Sequence, residues 1–523
     1  MQTPPPRDGD GSGDHVEVER TYELPDGVEL PDLRTLDRVA GVDDPYELRL
    51  VADYHDTNDL RLLRARTTLR RRTGGADDGW HVKVPAPSDG RLELHRPLGR
   101  SPRPPKAVRG LVAARTAGAR LHPVASIDNR RAVRVLRDPA GESLAEVCQD
   151  TVTATRPDGS TTRWTELEVE LTGGDPALLD AVEAVLSAAG AVASPWPSKL
   201  QRALAGHPDC GSGSRPGGRP DGATGAEDDG SAGAVVLAHV ADLVEQLVGW
   251  DAAVRRRVPD SVHKARVTIR RLRSVLAAYR RLLDRASTDP VRAELKWFAA
   301  VLGDRRDDEV LRDDLTDLAD AQPPQAVGAR TRRRMGRFLS AREREHEGAL
   351  RAAMDSGRHA ELWAALHQLV ADPTFTDRAG RRPRRELSRA IERQLHRLDA
   401  ARAHLAAQQP GPGRDVALHE LRKAVKRVRY TVEVAAPRVG KPAHKVIKRL
   451  ERFQSYAGRL HDDQVALRLL GEAAAEAEAA GETAFPLGHL HGVLAERIAD
   501  GWAALDEEDH RLDAPKLRAK LLR

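Results

Sequence analysis

Carboxylates and cations recur at every second position of several short segments, and each segment carries mostly one sign. Alternate residues of a strand face the same way. Glu17 therefore shares a face with Glu19, and Arg70 with Arg72 and Thr68. His81 and Lys83 share one between Trp80, Val82 and Val84, as do Glu146, Cys148 and Asp150. Glu166, Glu168 and Glu170 form an acidic row; Arg130 and Arg134 are in phase, with Val133 and Val135 on the opposite face. An ordinary half-buried sheet turns such charges to solvent. Sorting by sign from segment to segment points instead to a lined interior, and a closed barrel of about eight strands can enclose a ligand. Carboxylate oxygens on one side suit hard cations such as Mg2+ or Mn2+. Guanidinium and ammonium groups on the other suit phosphate oxygens. Several linked phosphates bridged by a divalent ion fit such a cavity. Attack of water on a phosphoryl group follows, since that reaction asks chiefly for positioning and charge neutralisation.

A second pattern lies farther along. VHKARVTIRRLRSVL at 262–276 and LHELRKAVKRVRYTV at 418–432 resemble each other, and each is followed at a similar distance by a second shared piece, GDRRDD at 303–308 and GRLHDD at 458–463. Matched pieces at matched separation indicate an internal duplication. At roughly 100° per residue, His263, Arg266, Arg270 and Arg273 fall on one helix stripe, and His419, Arg422, Lys426 and Arg429 on its counterpart. An apolar stripe runs beside each: Ala265, Ile269, Leu272 and Leu276, then Leu421, Val425, Val428 and Val432. Each helix is expected to bury that stripe and present a cationic row with no acidic partner one turn on. Two such rows together would grip a linear polyanion, with a steep dependence on salt. The Asp307-Asp308 and Asp462-Asp463 pairs read better as helix caps or bridges to arginine than as metal ligands.

The elements that position these groups divide the chain. Residues 1–14 are Pro/Gly/Asp-rich and expected to be disordered. Residues 15–205 read as short strands bounded by turn residues (VEVERTYEL, TTLRRR, WHVKV, LELH, SLAEVCQD, RWTELEVEL). Gly206–Ala234 reads as a flexible linker. From 235 the texture becomes Ala/Leu/Arg/Glu with helical periodicity, broken near Gln322–Pro324, Gly380–Pro383 and Gln409–Gly413. The expected fold is multidomain: an antiparallel β-barrel tunnel followed by an all-α bundle with internal duplication. At 523 residues the chain exceeds one core's usual size. Cys148 and Cys210 lack paired spacing, which argues against a disulfide scaffold or a cysteine zinc site. There is no uninterrupted apolar run of membrane-spanning length and no leader-like N-terminus, so no membrane partner and a cytoplasmic location are expected. Aromatics at 3% argue against a stacking platform for single-stranded nucleic acid.

The pieces EVER, DYHDTNDLRLLRARTTLRRR, GWHVKVP, LAEVCQD, WTELEVEL and PSKLQRAL, in that order over about 15–205, resemble the CYTH family of triphosphate tunnel metalloenzymes. The resemblance implies a barrel that binds triphosphates and hydrolyses or cyclises them with a divalent metal. It implies metal-site carboxylates at Glu17, Glu19, Glu168 and Glu170, with Asp150 added. Phosphate contacts are implied at Arg70, Arg72, Lys83, Arg130, Arg134 and Lys199. One departure stands out: where the family has E-x-E-x-K, the inward lysine position holds Thr21, Arg20 points the other way, and His95 stands where a longer cation is common. The duplicated segments, with FPLGHLHG at 485–492, resemble the CHAD family over about 236–515, which implies helical bundles that bind inorganic polyphosphate without catalysis. His263 and His419 then read as phosphate-contacting or hydrogen-bonding groups.

The resulting expectation is a metal-dependent triphosphatase acting on inorganic triphosphate or related phosphate chains and recruited to inorganic polyphosphate, including granules, by its helical domain. Thr21 keeps open a barrel that binds phosphate but turns over poorly. Nucleotide hydrolysis or cyclisation ranks lower, because no base-recognition pocket is legible.

Overall fold

In the computed structural model, residues 15–25, 28–85, 91–207, 230–512 and 515–522 are described. The expected disordered segment 1–14 and linker residues 208–229 lie outside them. The chain divides into two compact units, residues 1–224 and 225–523.

The first unit is built on eleven strands: β1 (His15–Glu17), β2 (Glu19–Glu23), β3 (Gly41–Val42), β4 (Tyr46–Asp56), β5 (Thr68–Thr73), β6 (Gly79–Pro85), β7 (Arg91–Pro97), β8 (His122–Arg137), β9 (Ser143–Thr155), β10 (Thr161–Leu171) and β11 (Val192–Ala193). Five helices accompany them: α1 (Arg61–Arg64), α2 (Lys106–Leu111), α3 (Ala113–Thr116), α4 (Pro176–Ala188) and α5 (Lys199–Ala203). The ladder runs β1-β7-β6-β5-β4-β8-β9-β10-β2-β11, antiparallel throughout, with β3 beside β8. As a hydrogen-bonded sheet it is not closed. The β1 edge is nevertheless joined covalently to β2, the strand next to the short β11 edge, because β1 and β2 are consecutive around Val18, whose carbonyl accepts from Leu171 N at 3.0 Å. One N-terminal segment thus pairs with β7 through its first half and with β10 through its second.

Strand alternation sorts the side chains. Tyr22, Leu136, Ala145, Val147, Leu167 and Val169 face outward under Leu178, Leu179, Val182 and Leu186 of α4. Leu69, Trp80, Val82 and Leu94 do the same under Val108, Leu111 and Val112 of the α2–α3 region. One end of the interior is filled by Ala52, Tyr54, Ile127, Val152, Ala154 and Trp164, sealed by Leu60 and Leu63 near α1 and by Leu200 and Ala203 of α5. The charged inward positions lie beyond this plug. In the DYHDTNDL segment, buried Asp56 accepts from the backbone N of Thr57, Leu62 and Leu63 at 2.7, 2.9 and 2.9 Å and so fixes α1.

The second unit is helical: α6 (Ala232–Arg255), α7 (Ser261–Ala278), α8 (Arg285–Asp320), α9 (Ala329–Met354), α10 (Gly357–Ala371), α11 (Pro383–Ala406), α12 (Pro412–Val439), α13 (Lys441–Ala479), α14 (Phe485–Leu512) and α15 (Pro515–Leu522). Helix α6 takes in the last three residues of the expected linker and is capped by Ser231, whose Oγ accepts from Ala234 N at 3.2 Å. The duplication is visible as α6–α7–α8–α9 and α11–α12–α13–α14. The two basic helices, α7 and α12, pack on each other, and Tyr279 Oη donates to Thr431 O at 2.8 Å. All eight residues of the two expected apolar stripes are buried. By length and composition α6 could cross a membrane, but Val236, Val240, Leu243 and Leu247 are buried within this unit.

Gly79 shows how tightly the charged wall is built. A Cβ there would collide with the His95 ring and stand 2.7 Å from the Arg96 carbonyl oxygen. Gly79→Ala is expected to cost about 1–3 kcal/mol by overpacking, read as a lower urea midpoint for the first unit. An unchanged midpoint would mean that the wall yields.

Candidate functional site

Two charged clusters line the interior of the first unit. On β5–β7 and β1, the strand register sets Arg70 opposite His81 and Lys83 opposite Glu93. Lys83 Nζ pairs with Glu17 and lies 3.7 Å from Glu93; Arg70 donates to Tyr54 Oη at 3.3 Å and lies 3.4 Å from Glu93. The His81 Nδ1 to Glu93 Oε1 distance is 2.6 Å, and Arg72 pairs with Asp77. Burial works against charge on Lys83, yet Glu19, Glu93 and Glu17 hold its pKa above the usual range. Burial likewise opposes ionisation of Glu93, and Lys83, His81 and Arg70 hold it far below the usual carboxylate value. Burial, opposed by the Glu93 hydrogen bond and reinforced by Arg70 and Arg72, pushes His81 down to about 4.

The second cluster lies on β8–β10 and α5. Ser198 caps α5 by accepting from Gln201 N at 3.2 Å, which fixes Lys199 at the first helical position, while Leu200 and Ala203 anchor the helix in the apolar plug. Lys199 Nζ then lies 2.6 Å from Glu166 and 2.9 Å from Asp150, and pairs with Glu168. Arg131 donates to both Asp150 oxygens at 2.8 and 2.7 Å and pairs with Glu168. Burial disfavours charge on Glu168, but Lys199 and Arg131 outweigh it and keep its carboxylate well below the usual range; Lys83 of the other cluster contributes too. Burial pushes the Cys148 thiol up to about 12, so it is neutral at physiological pH.

The expected site residues are distributed as follows. Asp150 and Glu168 converge with Glu166, and ligand oxygens of the three lie within 4.8 Å of one another. Glu17 belongs to the Lys83 cluster. Glu19, Glu170 and Glu146 form a row across β2, β10 and β9, two register pairs beyond Thr21, Glu168 and Cys148 and on the same face. Like charges directly opposite are unfavourable unless a cation lies between them. Arg70, Arg72 and Lys83 are inward, as expected.

Three expectations need correction. Arg130 and Arg134 lie on the other face of β8: Arg130 is exposed, beside Arg49 and Thr151 in register, and Arg131, in phase with Val133 and Val135, is the inward cation. Lys199 faces carboxylates rather than the cationic side. The two signs are also not segregated wall from wall, since Glu93 stands among cations, and Arg131 and Lys199 among acids. Glu93, Glu166 and Arg131 were missed as site residues. Glu166 was legible as part of its acidic row, and Glu93 as an isolated acid within LELH; nothing local distinguishes Arg131 from Arg130. Arg20 points outward, as expected, to Asp180 and Glu183 of α4 at 2.6 and 2.5 Å, and Thr21 is inward opposite Glu168.

The carboxylate donors fit a hard divalent ion by chemistry and spacing. Asp150, Glu166 and Glu168 would hold it where Lys199 now supplies the compensating charge.

In the second unit, His263, Arg266, Arg270, Arg273, His419, Arg422, Lys426 and Arg429 all line one cavity of about 1070 Å³ between α7, α12 and neighbouring helices. Among the described residues ten arginines and two lysines border it against two carboxylates, Glu451 and Asp462, so it is strongly cationic. The expectation of a row without acidic partners fails at Arg429, which bonds Glu433 one turn on at 2.9 Å and pairs with Glu451 at 2.9 Å. The second aspartate of each DD pair bridges to cations: Asp308 to His346 at 2.5 Å and Arg342 at 3.4 Å, Asp463 to Arg497. Burial, then Arg270, Arg422 and Arg266, push Lys426 down to about 7. Burial and neighbouring arginines lower His263, and burial with Lys423 and Arg422 lowers His419.

Comparison with known proteins agrees with this division. The CYTH domain family matches residues 15–204 and the CHAD domain family residues 238–471. An uncharacterized protein of Mycobacterium tuberculosis is 34% identical over 519 residues, covering 93% of this chain and 94% of its own length. Among solved structures, PptA from Streptomyces chartreusis is similar at 20% identity with a TM-score of 0.44, covering 54% of this chain and 99% of that one. The CHAD domain of Ricinus communis is similar at 24% identity with a TM-score of 0.42, covering 55% of this chain and 95% of that one.

The lowered Lys426 pKa sets a proton linkage. An unfolded lysine keeps its proton up to about pH 10.4, so stability present above that value is lost as pH falls toward 7. A bound polyanion restores the proton. Polyphosphate binding at pH 7 should take up about half a proton at this site, measured by calorimetry in buffers of different ionisation enthalpy. Lys426→Met should abolish the uptake; an unchanged uptake would exclude Lys426 as its source.

Proposed function

As a member of the CYTH family in its first unit and of the CHAD family in its second, this chain is, we propose, a metal-dependent triphosphatase acting on inorganic triphosphate or related short phosphate chains, with a helical unit that binds inorganic polyphosphate. The observation that carries the reading is the single charged interior in which Arg70, Arg72 and Lys83 on β5 and β6 share space with the carboxylates of β2, β9 and β10. The cations orient and neutralise phosphate oxygens. Asp150, Glu166 and Glu168, with Glu19 and Glu170 beyond them, hold Mg2+ or Mn2+, which supplies charge neutralisation and activation of water. The apolar plug around Trp164 keeps bulk water from that end and strengthens each charge–phosphate contact. In the second unit the cationic cavity grips a phosphate chain through guanidinium and ammonium donors, which suits a linear polyanion better than a base-reading nucleic-acid site. On this reading the protein works in the cytoplasm, where the helical unit associates it with polyphosphate granules, and it has no membrane partner.

A second reading, a barrel that binds phosphate with little turnover, is favoured by Thr21. The ammonium that the family places on β2 opposite Glu168 is missing at Thr21, and Lys199 of α5, a separate family position, is already paired with Glu168. Phosphate release from triphosphate with Mg2+ or Mn2+ separates the two. The triphosphatase reading expects release by the wild type and a loss of 10²-fold or more in Glu168→Ala. No release under either metal, with a large gain in Thr21→Lys, would establish the second reading instead. In the helical unit, polyphosphate should displace duplex DNA at matched phosphate concentration; the reverse preference would overturn the polyphosphate assignment.

A further inference from the structure

The cationic cavity of the second unit does not end the basic surface. Gln394 and Arg397 of α11 border it, as do Ala277, Ala278 and Arg280 at the end of α7. One turn back along α11, Arg393 donates to Ala278 O at 3.4 Å. Burial and the surrounding Arg281, Arg378 and Arg397 lower its pKa. One turn farther, Arg389 and Arg385 border a separate cavity of about 940 Å³, lined also by Arg381, Arg382 and Arg384. Arg385, Arg389, Arg393 and Arg397 are each four residues apart, so they drift only about 40° per step and span about 18 Å of helix.

The acids nearby do not cancel this stripe. Glu386, which is 3% exposed, is taken by Arg378 at 3.6 Å, Arg381 at 3.6 Å and Arg389 at 3.0 Å. Glu392 at the cavity rim is exposed. Arg382, Arg384 and Arg385 are exposed, and among the described residues none has an ion-pair or hydrogen-bond partner. Within the line Arg389 meets Glu386, while Arg393 and Arg397 bond only the neutral Ala278 O and Gln394 Oε1, so the line keeps a net positive charge, and a single extended anion lying along it relieves several repulsions at once. The line continues an anion cavity instead of starting on open surface, which favours an extended chain over a compact ion.

We propose that the arginines of α11 form a second binding segment for a phosphate chain, leading it out of the α7–α12 cavity and into the cavity around Arg384 and Arg385, so that the helical unit holds long chains more tightly than chains that fill the first cavity alone. The inference rests on the polyphosphate reading of the first cavity. The statistical gain of a long chain, which offers many registers, is equal in wild type and variant and cancels in the comparison.

The test uses the full chain, titrated with a short oligophosphate, a long-chain polyphosphate and duplex DNA, each at two salt concentrations. Arg384→Ser with Arg385→Ser touches only exposed, unpartnered side chains, and an unchanged thermal midpoint checks the fold. The expected result is a loss of roughly tenfold in long-chain affinity and a shallower salt dependence, with short-chain affinity unchanged. Equal losses for both lengths, or no loss for either, would overturn the second segment while leaving the first cavity intact. Wild-type protein that binds neither length would overturn the polyphosphate reading and this inference together. A loss confined to duplex DNA would assign the stripe to nucleic acid and overturn it as well.

Discussion

A charge removed from water must be answered by another charge, and the two units meet this constraint in opposite ways. In the first, Lys83 and Arg70 meet Glu17 and Glu93, and Lys199 and Arg131 meet Asp150, Glu166 and Glu168. Leaving either partner alone in such a setting costs several kcal/mol, so the interior can keep both signs only by interleaving them. The expectation of segregated walls fails for that reason. A phosphate chain entering with a divalent ion brings both signs with it and can exchange partners with the residues already there.

In the second unit the compensation is partial: Arg292, Arg306, Lys423 and Arg429 meet Asp289, Glu309, Glu420 and Glu433, yet cations outnumber acids around the cavity. Among the described residues the cavity between α7 and α12 collects twelve lysine and arginine side chains against two carboxylates, and the repulsion shows in the lowered pKa of Lys426. Such an arrangement holds together because the apolar stripe beside each basic row is fully buried. Packing of Ile269, Leu272, Val425 and Val428 carries the cost of bringing the cations together. Burial of an apolar side chain contributes about 1.5–3 kcal/mol, comparable to the repulsion between two half-solvated guanidinium groups. The bundle is therefore primed for an anion, whereas the barrel is balanced without one.

Much of this was legible from residue spacing. The duplicated helices, their apolar and basic stripes, the breaks between helices and the shared strand faces of Arg70 with Arg72, His81 with Lys83 and Glu168 with Glu170 follow from periods of 3.6 and 2 acting over short distances. Most of the failures have a tertiary cause. Arg130 and Arg131 are adjacent in a strand with cations in both phases, and local sequence does not say which phase meets Asp150. Glu433 one turn beyond Arg429 was overlooked although it stands in the sequence. Glu93 and Glu166 are in phase with their neighbours, but their importance comes from His81, Lys83 and Lys199 on other elements.

The sequence by itself determined the two-unit division, the class of each unit, and which residues share a face of one strand or helix. These depend on backbone geometry that repeats along the chain and need no distant partner. Only the tertiary structure decided which face points inward, that α5 carries Lys199 into the carboxylates, and that Arg397 of α11 borders the cationic cavity. Those outcomes depend on apolar surfaces far apart in sequence finding each other, and the charges follow where that burial takes them.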